Sequence, residues 1–176
     1  MSLEDELLSM AWERESVSEA NVANMWLDHP GKLRRQLRSD LARQVDLKKL
    51  KRSDDRVVNL NPGTNSLQEL VCPGVEFWSD SKLNFKVELE ELQQGWIVKR
   101  FQFHLHLSGR NIQMVRIHLN QRVGRDPLKV PRCHFHIGDS KAHIPFPIMS
   151  PRLMVHLICE HIEPDLGLKD LPEREL

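Results

Sequence analysis

Four runs in the second half of the chain alternate apolar and polar residues with a period of two. In 83–89 the apolar members are Leu83, Phe85, Val87 and Leu89; in 97–107 they are Ile97, Phe101, Phe103, Leu105 and Leu107. In 113–119 they are Val115, Ile117 and Leu119, and in 131–137 Cys133, Phe135 and Ile137. Side chains alternate across a strand, so each run predicts a strand with one buried face. Gln94-Gly95 and Ser108-Gly109-Arg110-Asn111 are hairpin-length connections, too short for a parallel crossover. The strands must therefore form an antiparallel meander, one face on a core and the other turned outward. A longer loop is expected over 120–131, and typical sheets suggest about four to six strands.

Residues 1–56 read as a helical N-terminal region, and 57–176 as the sheet domain with its C-terminal helix. Leu3, Leu7 and Ala11 make a short helical stripe, and Ser16-Val-Ser-Glu19 has capping-box spacing for a second helix over Val22, Met25 and Trp26. His29-Pro30-Gly31 is expected to stop that helix. A third then carries Leu33, Leu37, Leu41 and Val45 on one face. At the other end, Ser150 as cap and Pro151 in the first turn open a helix. Leu153, Leu157, Ile158 and Ile162 would define its buried stripe, and Pro164 its end. The expected fold class is α+β: an antiparallel meander packed on a C-terminal helix, with a helical N-terminal region.

Charge adds a second kind of information. The 176 residues carry 25 Lys+Arg and 25 Asp+Glu, a net charge of zero, so no global field draws the molecule to nucleic acid. The balance is global and not local, however. Residues 1–20 hold six acidic residues against Arg14. The 32–52 stretch holds Lys32, Arg34, Arg35, Arg38, Arg43, Lys48, Lys49, Lys51 and Arg52 against Asp40 and Asp46. That basic helix could track a phosphate backbone or grip an acidic partner; equally, it could be a solvated face offset by the acidic segment before it. No apolar run approaches the length of a bilayer span, and the acidic start MSLEDELLSM lacks signal-peptide order. A cytoplasmic protein with no membrane partner is expected. Cys72, Cys133 and Cys159 are odd in number and far apart, which fits neither a disulfide framework nor a metal knuckle. Cys133 reads as a small core residue, and Trp12, Trp26, Trp78 and Trp96 as structural.

The nine histidines are about twice the usual number for such a length. The positions turned away from the core are Arg100, Gln102, His104 and His106 on one strand, Arg116 and His118 on the next, and Arg132, His134 and His136 on the last. In one sheet these five His and three Arg share a face, and His143 follows just after a turn. Three readings stay open. Paired His could exchange protons with a ribose hydroxyl and a leaving oxygen while Arg100, Arg116 and Arg132 hold phosphate, as metal-independent RNA cleavage requires. Two His two apart on a strand, with a third from its neighbour, could instead hold Zn²⁺. Or the residues could be an ordinary polar strand face. No Asp or Glu shares this face on the three strands, which argues against a carboxylate-held Mg²⁺.

One family pattern matches part of this. Arg116-Ile117-His118, a loop, His134-Phe-His-Ile-Gly138, the stretch Ile144-Pro-Phe-Pro147, Ser150 and a closing amphipathic helix resemble the small TumE-type toxins of prokaryotic toxin–antitoxin loci. The resemblance covers 96–163. At the Tyr and Asp positions of that pattern this chain has Ile117 and His118. The resemblance implies a cytosolic prokaryotic protein of a toxin–antitoxin or defence setting, with an antitoxin or complex subunit as partner. The combined expectation is a toxin-like protein acting on RNA, without cofactor, through His134, His136, His118, His104 and His106. The alternative is a non-enzymatic subunit that binds nucleic acid or protein.

Overall fold

A computed structural model describes residues 26–51, 57–63, 66–109, 112–120 and 132–166. The helices expected over the first 25 residues, the 120–131 loop beyond Asn120, and Arg52 lie outside the described residues. The elements are β1 (Trp26–Leu27), α1 (Pro30–Asp46), β2 (Asn59–Pro62), β3 (Leu67–Glu76), β4 (Lys82–Leu92), β5 (Gly95–His106), β6 (Met114–Leu119), β7 (Cys133–Ile137) and β8 (Ile144–Pro145). A closing helix follows: α2 (Pro151–Leu157), a π-helical turn (Ile158–Ile162) and α3 (Glu163–Leu166).

The sheet is antiparallel throughout, in the order β2-β3-β4-β5-β6-β7-β8, and β1 pairs β5 off that path. The α+β meander is as expected, with more strands than the alternating runs alone show. Leu67–Glu76 escapes the pattern because Pro73-Gly74 interrupts it: the register with β4 shifts between Cys72 and Val75, and the buried residues fall at Leu70, Cys72 and Val75. A bulge accommodates the extra chain. A second irregularity, opposite Glu88/Leu89, makes Arg100 face Glu88 and Val98 face Leu89. It moves the core positions of β5 from Ile97 to Trp96 and Val98, both buried. Trp26 lies in β1 and not in a helix, paired with Ile97. The sheet's two edges are β2, which ends in Pro62, and the two-residue β8, which ends in Pro145.

One core joins the apolar face to both helices. Leu33, Leu37 and Leu41 of α1 and Met154, Val155, Ile158 and Cys159 of the closing helix are buried in the same cluster as Phe85, Phe101, Phe103 and Ile117. Phe85 stacks on Phe103 with centroids 4.9 Å apart. α1 begins at Pro30, two residues before the start after Gly31 that the sequence suggests. His29 is its cap, accepting from Gly31 N–H at 3.0 Å, with Pro30 in the first turn. It ends at Asp46, and Lys48 then turns with φ of 57°. The basic helix expected over 32–52 therefore stops short, and Lys48, Lys49 and Lys51 lie on the following turn and bridge, where Leu50 pairs with Phe77.

Ser150 caps α2 as expected, accepting from Leu153 N–H at 3.3 Å. The helix is rotated from the predicted phase, so Leu153 is 53% exposed while Met154 and Val155 are buried. It also runs past Pro164. The π turn lets Glu163 N–H reach the carbonyl of Ile158, five residues back, and Pro164, without an N–H, follows in the first turn of α3. The two helices are clamped by Arg152, whose Nε and Nη2 donate to the Asp40 carboxylate at 2.7 and 2.9 Å, and by Gln44, which donates to Glu160 at 2.9 Å. Replacing Ser150 by Ala should lower stability by about 1 kcal/mol, the usual cost of a lost cap. An unchanged urea midpoint would show that Pro151 alone sets this helix start.

Candidate metal centre

With α1 and α2 on the apolar face, the opposite face of β5, β6 and β7 carries the imidazoles. Register decides which of them meet. His118 lies opposite His134 and Gln102, and Arg116 opposite His136 and His104. The residues converge into a contiguous set of rings: centroids are 5.6 Å apart for His118–His134, 5.5 Å for His118–His136 and 5.0 Å for His134–His136. His104 reaches His118 with its Nε2 3.2 Å from the other Nε2. One ring donates and the other accepts, which leaves the second nitrogen of His118 for another partner.

This face is not the solvated surface that alternation implies. His134 is 1% exposed and His136 8%, less than Phe135 between them. Packed against them is His143, on the connection from β7 to β8, whose ring lies 4.7 Å from those of both His134 and His136. Buried rings must find partners for their nitrogens. The backbone of Ser140 and Ala142 hydrogen-bonds His136, yet its Nδ1 is buried with no hydrogen-bond partner. Ligand nitrogens of His118, His134 and His136 all lie within 4.8 Å of one another. A tetrahedral ion with bonds of about 2.0–2.1 Å wants its donors about 3.3 Å apart, within reach of small side-chain rotations. The three residues thus form a possible metal-binding site, and among the described residues no carboxylate joins it.

The electrostatics suit such a site. Burial pushes the His118 pKa down to about 4, and the neighbouring His104, His134, His136 and Arg116 push the same way. Burial, then His106 and Arg116, lower His104. Burial, then His143 and Arg116, lower His136 against the opposing backbone contacts. These rings are neutral at pH 7 and their lone pairs are available.

The remaining candidates are placed less centrally. His106 is exposed at the end of β5, opposite Lys82 and Met114, and touches none of the clustered rings. Arg100 is engaged with Glu88. Burial opposes ionisation of that carboxyl, but the hydrogen bond and charge of Arg100, with Lys86, hold it below its ordinary range. Arg116 is beside the rings; its Nη2 donates to Gly138 O at 3.1 Å, and its Nε is buried without a partner. Arg132 is half-buried at the start of β7, its carbonyl accepting from Asn120 N–H at 2.8 Å. His143, outside the set of candidates drawn from the strands, is the residue that reading missed. Strand periodicity cannot place a loop residue, and only its position just after a turn hinted at it.

The basic residues do not make one stripe. Lys32 pairs with Asp28 at 2.7 Å, Arg38 donates to Val58 O at 3.1 Å, and Lys51 is bound to Asp80. Arg34 is half-buried and Lys49 likewise, while Arg35, Arg43 and Lys48 are exposed. Cys133 is a core residue as expected: burial raises its thiol to about 12. Trp78 departs from the structural role expected of it, standing 64% exposed on the β3–β4 turn. No helix among the described residues is long and apolar enough to cross a membrane. Comparison with family models, with curated proteins and with solved structures finds no match.

Proposed function

We propose that His118, His134 and His136 hold one divalent transition-metal ion, Zn²⁺ by the chemistry of its donors, and that the site hydrolyses a phosphodiester, RNA being the substrate in view. The observation that carries this reading is the meeting of three imidazole nitrogens within 4.8 Å, beside which the Nδ1 of His136 is buried without a hydrogen-bond partner. Borderline-soft nitrogen donors suit Zn²⁺ and its neighbours in the series over Mg²⁺ or Ca²⁺. Zn²⁺ held by three neutral ligands keeps its full charge and acts as a Lewis acid toward water or a phosphoryl oxygen. Arg116 adds a fixed positive charge beside the rings, which favours an anionic substrate.

The metal-independent reading has less support. Direct acid–base cleavage needs one ring protonated near neutral pH, a role that burial disfavours for His104, His118 and His136. A purely binding role for the basic region is also weakened, because Lys32, Arg38 and Lys51 are already engaged.

The test is a cleavage assay with labelled RNA. The chain loaded with Zn²⁺ should cut, EDTA should stop it, and added Zn²⁺ should restore it. The His134→Ala/His136→Ala double variant should be inactive throughout. Cleavage that survives EDTA would return the assignment to direct acid–base chemistry. A Zn²⁺-loaded chain that leaves RNA intact would overturn the hydrolytic reading.

A further inference from the structure

His143 enters the ring cluster from a different kind of element than its neighbours. His118, His134 and His136 belong to β6 and β7 and are fixed by strand pairing on a continuous ladder. His143 lies on the connection between Ile137 and Ile144, where 139–142 are exposed. Even so, its ring is closer to those of His134 and His136, at 4.7 Å, than those two are to each other, at 5.0 Å, although it stands outside the set of three residues whose nitrogens lie within 4.8 Å of one another, so that it would reach an ion only by a further approach of its connection.

The connection is shaped to hold it there. Gly138 turns with φ of 57°, a left-handed conformation that glycine adopts without strain. Its N–H donates to Met114 O at 2.7 Å, Ser140 N–H donates to Ile137 O at 3.2 Å, and Ala142 N–H donates to Ser140 Oγ at 3.1 Å. At the base of the turn, Arg116 Nη2 donates to the Gly138 carbonyl at 3.1 Å.

Resting on the metal-centre reading above, we propose that His143 is the fourth ligand of the ion, and that it is the exchangeable one, displaced when an anionic oxygen ligand of the phosphate class binds. Four imidazoles complete a tetrahedral shell and leave no open position, whereas hydrolysis requires one. The three strand residues stand on a paired backbone and can leave the ion only by side-chain rotation, whereas a residue on the six-residue connection between Ile137 and Ile144 can also move with its backbone.

Arg116 couples the two events. An oxyanion arriving at its guanidinium competes with the Gly138 carbonyl for the same donors, loosening the turn that presents His143 as the anion reaches the ion. The exchange is a simple substitution. The imidazole lone pair leaves the ion and an oxygen lone pair takes its place, so no oxidation state changes.

The full chain loaded with one equivalent of Co²⁺ provides the test, read by its visible absorption and titrated with inorganic phosphate. The parent should give the spectrum of a four-nitrogen tetrahedral site and should change toward mixed nitrogen–oxygen ligation as phosphate is added. His143→Ala should bind Co²⁺ more weakly by roughly 100-fold or more, the scale expected for loss of one of four ligands. It should show nitrogen–oxygen ligation before any phosphate is added and should bind phosphate more tightly, having no imidazole to displace. His143→Gln, which keeps the bulk of the side chain, guards against a collapsed turn and should behave as His143→Ala does. Parent and variants that share one affinity, one spectrum and one phosphate response would overturn the role of His143 while leaving the three-histidine centre standing. A distinct variant spectrum with no phosphate response in the parent would show a fixed ligand and overturn exchange. A parent that takes up no Co²⁺ would overturn the metal-centre reading and this inference with it.

Discussion

His136→Ala will weaken Zn²⁺ binding by a few hundred-fold, and His118→Ala will do the same, while both proteins stay folded. Zn²⁺ sites with four protein ligands are worth about 10–16 kcal/mol, so one ligand's share is about 3–4 kcal/mol, or two to three decades in affinity. The fold should survive because the stabilising core lies on the other face, with Phe85, Phe101, Phe103 and the two helices. Removing the His136 ring also removes a buried nitrogen that has no protein partner. Competition against a chelating dye measures the affinity, and His106→Ala is the internal control, since that exposed residue touches none of the rings. Equal affinities for His136→Ala and His106→Ala would remove the metal centre from this face.

The metal-free protein should lose stability steeply as the pH falls from about 6.5 toward 4. The sign follows from proton counts. His104, His118 and His136 have folded pKa values below the ordinary 6.5. In that window the unfolded chain therefore binds protons that the folded chain does not. Stability is full above pH 6.5 and declines through the interval until the folded rings protonate. For His118, whose folded value is about 4, the loss is about 1–2 kcal/mol after allowing for its partial exposure. His104 and His136 add to it in the same direction. Glu88 and Glu160, whose carboxyls are held below 4.5, begin to contribute only at the acid end of the window, near and below about 4.5, so the comparison at pH 5.0 stays largely clear of them. Urea midpoints at pH 7.5 and 5.0 would measure the difference. A Zn²⁺-loaded sample should resist acid longer, since an ion bound only by the folded state stabilises it by mass action. Equal midpoints at the two pH values would mean that the rings are not neutral in the folded protein.

Much of this arrangement could be read from residue order alone, for a definable reason. Alternation identifies a strand and its buried side without reference to any other part of the chain, so β4, β6, β7 and the shared His face were visible. Local capping chemistry likewise announced Ser150-Pro151. What stayed hidden depends on partners distant in sequence. The bulge at Lys99–Arg100 exists only relative to β4, and it exchanged Ile97 for Trp96 and Val98 in the core. The strand character of Trp26 comes from β5, and the helix phase at Leu153 from where α1 lies. The cluster shows the same division. Five in-phase histidines were evident, but which of them touch was settled by register, which joined His118 to His134 and left His106 aside. The ring that packs against His134 and His136 belongs to a loop residue, His143, that no periodicity addresses.

The two prolines at the margins of the sheet bear on how other chains can approach it. A strand added to an edge needs a run of free amide donors. At one margin β2 offers four residues and closes on Pro62. At the other β8 offers two, of which Pro145 has no amide hydrogen, and the next amide, that of Phe146, is already spent on the Cys133 carbonyl at 3.0 Å. Among the described residues, these two margins therefore offer at most a short run of free amides to a strand added from another chain.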